Sequence, residues 1–252
     1  LYGSGDGVRA INASAVNPLV RSISFRLQKG FAAGDGLAST TDRQSMTYFK
    51  GVKDSELADY TWSYAADGTS IRSTSVNFYT GNKRANAVTN SLDVLIFSYS
   101  YKNQKASVDL VSFDELVASN LTDRLSKTFF YGVDRGDELA NYTYNYKTST
   151  TTVRSTSYSF YGTGNGARAV SVSSLDDPLV RSVSFKSAQT FADGDGLAVN
   201  GNTLSWTYFV GSRGSEISDY TWSYSNSVIQ STSYNLYGSG DGVRAINASA
   251  VN

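Results

Sequence analysis

The sequence predicts an all-β chain, a repetitive β-solenoid or rolled antiparallel β-sheet fibre made of units of about 78 residues. Two observations carry that expectation. The stretch LYGSGDGVRAINASAVN stands letter for letter at Leu1–Asn17 and again at Leu236–Asn252, at an offset of 235 residues. Between these copies the side chains alternate with period two. In Tyr60-Thr61-Trp62-Ser63-Tyr64 the rings fall on one face of an extended chain and the hydroxyls on the other, and Tyr142, Tyr144 and Tyr146 follow suit. Composition points the same way, with 18 Tyr, 12 Phe, 22 Gly and only 2 Pro. Aromatic and β-branched residues suit a pleated, half-buried surface, and Gly serves the turns between strands.

The array aligns on itself as the end of a preceding unit, residues 1–17, followed by units 18–93, 94–177 and 178–252. Each unit passes the same stations. It opens on a strand, LVRSISF at Leu19–Phe25, LIFSYSY at Leu95–Tyr101 and LVRSVSF at Leu179–Phe185. A loop follows, FAAGDGLA from Phe31 and FADGDGLA from Phe191, replaced in the middle unit by FDELVA from Phe113. Next comes an aromatic strand ending in Gly51, Gly132 or Gly211, then an acidic turn leading into YTWSY, YTYNY and YTWSY. The last strand is IRSTSVNFY, VRSTSYSFY or IQSTSYNLY, and the unit closes on YTGNKRANAV, YGTGNGARAV or YGSGDGVRAI. A finer motif, Gly-x-Asp-(Gly/Glu)-(Leu/Val), suggests a sub-repeat of about 26 residues, the length of one solenoid coil or one hairpin step. A helix fits only Ser112–Ser126, where Ser112 and Glu115 have capping-box spacing and Phe113, Leu116, Val117, Leu121 and Leu125 could share a face. A chain that begins in mid-repeat reads as a piece of a longer array.

Several functions are disfavoured at once. Lys plus Arg and Asp plus Glu both number 22, so no basic excess invites nucleic acid. The chain has neither His nor Cys, which removes imidazole and thiolate chemistry and the usual zinc ligands. No apolar run approaches the roughly 20 residues of a membrane-spanning helix. The acidic loops are the sharpest local feature: Asp6, Asp35, Asp193, Asp195 and Asp241 sit beside glycines, in the manner of calcium turns, yet no calcium-loop pattern is completed. The simpler reading is that Gly supplies positive φ and Asp bonds its own backbone. Carboxylate pairs such as Asp54 with Glu56 and Asp137 with Glu138 recur at the same point of each turn, which suits a turn better than a singular active site. No catalytic, metal or cofactor residue is assigned. Asn12, Asn120, Asn141 and Asn247 begin formal glycosylation sequons. The series Tyr60, Trp62, Tyr64 with Tyr142, Tyr144, Tyr146 and Tyr220, Trp222, Tyr224 reads as a core ladder, the alternative being an exposed glycan-stacking strip.

GDELANYTYNY at Gly136–Tyr146, followed by VRSTSYSFYG, and YTWSYAADGTSI at Tyr60–Ile71 resemble the tyrosine-rich YD repeats of Rhs-like and other very long bacterial cell-surface proteins. The Tyr-Asp dipeptide and the Gly-Arg that follows it in that family are missing here. The resemblance implies a wound antiparallel sheet of extracellular bacterial type. Units that cannot bury a face alone must stack on neighbours. The expectation is therefore a structural protein, not an enzyme, that forms an extracellular filament, fibre or surface stalk with itself as partner. The alternative is an adhesin that uses its aromatic strips or acidic loops for a glycan or calcium.

Overall fold

The computed structural model of the protein describes residues 1–4, 7–27, 41–90, 92–104, 121–172, 174–191, 198–239 and 241–247. Its strands are β1 (Arg21–Phe25), β2 (Arg43–Lys50), β3 (Leu57–Tyr64), β4 (Ile71–Tyr79), β5 (Leu95–Lys102), β6 (Arg124–Tyr131), β7 (Leu139–Tyr146), β8 (Val153–Tyr161), β9 (Ala167–Arg168), β10 (Leu179–Lys186), β11 (Thr203–Val210), β12 (Ile217–Ser225), β13 (Val228–Tyr234), β14 (Leu236–Tyr237) and β15 (Val243–Arg244). The described fold is all-β, antiparallel, and not closed into a barrel. The helix expected over Ser112–Ser126 is outside the described residues as far as residue 120. Beyond that point Leu121–Asp123 makes one 3-10 turn and Arg124 opens β6. There the alternation that runs into Thr128, Phe129 and Phe130 is of period two, and strand pairing prevails over the capping signal.

The chain packs as two compact units, residues 1–127 with 148–150, and residues 128–147 with 151–252. In the first, β1 to β5 are neighbours in chain order. Tyr48, Tyr60, Val76 and Tyr99 stand opposite one another across β2 to β5, and on the other face Ser22, Thr47, Thr61, Ser75 and Ser100 make a parallel row of hydroxyls. The second unit repeats this division. Tyr142, Tyr158, Val183, Trp206 and Trp222 form one row, and Thr143, Ser157, Ser182 and Thr207 belong to the opposite face. Period-two alternation thus sorts rings to one side and hydroxyls to the other.

Each ladder is interrupted by a bulge near its end, at Tyr48/Phe49 and Ser63/Tyr64 in the first unit and at Tyr208/Phe209 and Ser223/Tyr224 in the second. A bulge adds one residue to one strand and bends it. In β3 that extra residue is Asp59, 1% exposed between Ala58 and Tyr60. The hairpin joining β12 to β13 turns on Asn226 and Ser227, both at positive φ (49° and 68°), the backbone of a two-residue type I′ turn. The longer turn between β3 and β4 is held by Asp67, whose Oδ1 accepts from the amides of Thr69 and Ser70 at 2.9 and 2.8 Å.

The ring face is held by ring-on-ring packing. Tyr48 stacks on Tyr60 at 4.4 Å between centroids, Phe129 on Tyr142 at 4.4 Å and Tyr208 on Tyr220 at 4.6 Å. Trp62, Tyr144 and Trp222 each meet the first ring of these pairs edge-on. Beside the ladders lie two matching clusters, Leu57 with Tyr79 and Ala85, and Leu139 with Tyr161 and Ala169.

Candidate functional site

The strongest constellation in the described residues is an arginine held by the Asp or Asn just before the first tyrosine of the third strand of each sequence unit, buried at Arg84 and Arg168 and half-buried at Arg244. Arg84 donates from Nε to Asp59 Oδ1 at 2.7 Å and from Nη2 to Oδ2 at 2.6 Å, and the Ala85 amide also points at Oδ1. Arg168 donates from Nε to Asn141 Oδ1 at 2.9 Å. Arg244 grips Asp219 through Nε at 3.2 Å and through Nη2. In each case the guanidinium also lies over aromatic rings: Arg84 over Tyr60, Arg168 over Tyr158 at 4.3 Å, and Arg244 over Tyr220 and Tyr234. A planar, weakly hydrated cation suits both roles. Arg181 continues the pattern between Phe160 and Trp206, and burial lowers its affinity for the proton.

The closing motif of each unit puts these arginines in place. Its Gly lets the chain fold back on the end of the strand: Phe160 pairs with Arg168, and Leu236 pairs with Arg244. Gly166 has φ +71°, and a Cβ there would come within 2.6 Å of Val180 Cγ2 and 2.9 Å of Phe160 Cβ. Gly7 and Gly242 occupy the same strained, crowded turn. The tyrosine before each motif is fixed by its hydroxyl, with Tyr79, Tyr161 and Tyr237 donating to the carbonyls of Ala58, Ala140 and Ser218 at 2.7, 2.8 and 2.6 Å.

The acidic turns bond backbone. Glu56 Oε1 accepts from the amide of Leu19 at 2.7 Å and Glu216 Oε1 from the amide of Leu179 at 2.9 Å. Glu138 and Glu216 also accept from Gly136 and Gly214 through Oε2. Asp54, exposed at φ 65°, pairs with Lys53. Of the Gly-flanked aspartates only Asp241 is among the described residues, in an exposed turn; Asp6, Asp35, Asp193 and Asp195 lie outside them. Among the described residues no three His, Cys, Asp or Glu side chains converge as a metal site would require, and no helix is long and apolar enough to cross a membrane. Asn141, first residue of one sequon, is buried against Arg168.

The aromatic series divides by depth. Tyr60 and Tyr64 are buried, Trp62, Tyr142, Tyr144, Tyr220, Trp222 and Tyr224 are half-buried in ring contacts, and Tyr146 is half-buried. Burial raises the phenol pKa of Tyr208, Tyr220 and Tyr224, and of Tyr161 in its cluster. The opposite face carries hydroxyl pairs: Thr47 with Thr61, Thr128 with Thr143 and Thr207 with Thr221, each at 2.9 Å between Oγ1 atoms. Sequence reasoning placed the rings and the turns but missed the arginine clamps. Their signal was there, in an Arg within every closing motif and an Asp or Asn just before the strand tyrosine.

No protein-family model, curated protein or solved structure matches the chain.

Proposed function

We propose that this chain is a structural protein, a segment of an extracellular or cell-surface filament assembled from units 18–93, 94–177 and 178–252 with itself as principal partner. The observation that carries the reading is the identity of Leu1–Asn17 with Leu236–Asn252, which gives both ends of the three-unit array the same sequence. The recurrence of one ladder register supports it: Tyr48 faces Tyr60 and Thr47 faces Thr61, as Tyr208 faces Tyr220 and Thr207 faces Thr221. So does the use of the conspicuous polar residues, since the arginines and the turn carboxylates described above serve the packing of the sheet. Antiparallel pairing favours a rolled or extended sheet over a solenoid of parallel coils. A bacterial surface origin rests on the resemblance to YD repeats.

Electron microscopy of the native material with measurement of the axial repeat tests this reading. Long fibres with a repeat matching one unit or one 235-residue period of sheet are expected. Short, discrete particles at every concentration would overturn it.

A further inference from the structure

Strand β13 differs from its counterparts β4 and β8 in one respect. All three carry the Ser-Thr-Ser strand that ends each sequence unit. β4 lies between β3 and β5, and β8 between β7 and β10, so Val76, Phe78, Tyr158 and Phe160 are 0 to 2% exposed. Among the described residues β13 pairs with β12 alone, and the equivalent Tyr234 and Leu236 are 57% and 58% exposed. The Asn235 amide donates to Asp219 O, toward β12. Backbone groups alternate sides along an antiparallel strand, so those of Thr232, Tyr234 and Leu236 point away from β12. β13 therefore presents an edge with both hydrogen-bonding groups and apolar side chains on offer.

The chain itself specifies what fits that edge. β8 takes β10 as its second neighbour, and the LVRSISF strand containing β1 is nearly the sequence of β10, LVRSVSF. Moreover, the identical stretch already sits on β1. Val20 N donates to Leu1 O at 2.8 Å, Tyr2 bridges Leu19, and Gly3 N donates to Pro18 O at 2.9 Å. The last bond recurs as Gly162 N to Pro178 O, also 2.9 Å, beside the Tyr161 and Leu179 pair of β8 and β10. Leu1–Gly3 thus holds on β1 the place that Phe160–Gly162 holds on β10, and Leu236–Gly238 is the same sequence at the end of β13.

We propose that β13 is the docking edge for a second copy of this chain, which adds its β1 antiparallel in the register of β10 on β8. Tyr234 then stands opposite Ile23 of the second copy, Ser233 opposite its Ser24, and Leu236 opposite its Arg21. Leu236–Tyr237 takes over the contacts of the second copy's Leu1–Tyr2. The exchanged segments are identical, so their contacts balance, and the gain is the new rungs along β13 and the burial of Tyr234 and Leu236. This inference rests on the filament reading and names its end-to-end contact.

The chain has no cysteine, so engineered thiols report the register directly. Ser157 and Ser184, the template for Ser233 and Ser24, are directly opposite, with their hydroxyls 2.8 Å apart. Their amides face away from each other, the cross-strand geometry in which side chains come closest and a disulfide can form. Ser233→Cys and Ser24→Cys proteins, mixed and mildly oxidised, are expected to give a covalent dimer many-fold more abundant than either protein gives alone. Thr232→Pro removes an outward amide while sparing the β12 ladder. It is expected to abolish both that dimer and any concentration-dependent rise in sedimentation coefficient, with the circular dichroism spectrum unchanged. Fibres that form equally well with Thr232→Pro, without the mixed disulfide, would overturn this interface and leave the filament reading standing. Monomers at every concentration, with no mixed disulfide, would overturn both.

Discussion

Arg84 and Asp59 form a two-pronged ion pair, 2.7 Å from Nε and 2.6 Å from Nη2, with side chains 6% and 2% exposed. Asp59 is the residue left over by the β2–β3 bulge, and Arg84 is delivered by the motif that closes the unit. The pair thus ties a local irregularity of the sheet to a turn 25 residues further on. A buried charge whose partner is removed costs about 3–5 kcal/mol. Asp59→Ala is expected to lower unfolding stability by that order in urea titrations. Asp59→Asn should cost clearly less, because Asn141 already holds Arg168 in the equivalent place.

The two glycines of the Gly164–Gly166 turn separate backbone strain from crowding. Both have positive φ, but a Cβ at residue 164 meets nothing within 4 Å, while at residue 166 it collides with Val180 and Phe160. Gly164→Ala is expected to cost about 1–2 kcal/mol, the left-handed penalty alone. Gly166→Ala should cost visibly more, since Phe160 is fully buried and Val183 packs beside it. Thermal melts of the two variants side by side check this ordering.

Burial sets the response to alkali. The phenols of Tyr161, Tyr208, Tyr220 and Tyr224 are raised above their ordinary value, chiefly by desolvation. The unfolded chain then gives up these protons first. Their contribution to stability is complete below the unfolded value, about 10, and is lost as pH rises through the higher folded values. Stability followed by urea titration is expected to decline above that pH, in step with the appearance of tyrosinate absorbance at 295 nm. Phe replacements at Tyr208 and Tyr220 should make the decline shallower.

Equivalent positions differ in cost according to whether a neighbouring strand covers them. Phe160 is 0% exposed between β7-side and β10-side neighbours, and Phe160→Ala is expected to cost about 3–5 kcal/mol. Leu236, at the same point of its unit, is 58% exposed, and Leu236→Ala should change the stability of the dilute chain by no more than about 0.5 kcal/mol. Urea unfolding of the two variants at low concentration measures the difference.

Much of this protein was determined by sequence alone. Period-two alternation needs only the geometry of an extended backbone, so LIFSYSY, KTFFY and YTYNY became β5, β6 and β7 near the expected places. The glycines of the closing motifs likewise announced their turns, because positive φ is a property of the residue itself. The role of the polar residues was decided by tertiary structure. Asp59 and Arg84, or Leu19 and Glu56, lie far apart in sequence, and what each carboxylate does depends on which amide or guanidinium the sheet brings to it. The depth of each ring was decided there too. Tyr158 and Tyr234 share the same place in the same kind of strand, and one is 2% exposed while the other is 57%. Alternation chooses a face, but only a neighbouring strand can cover it.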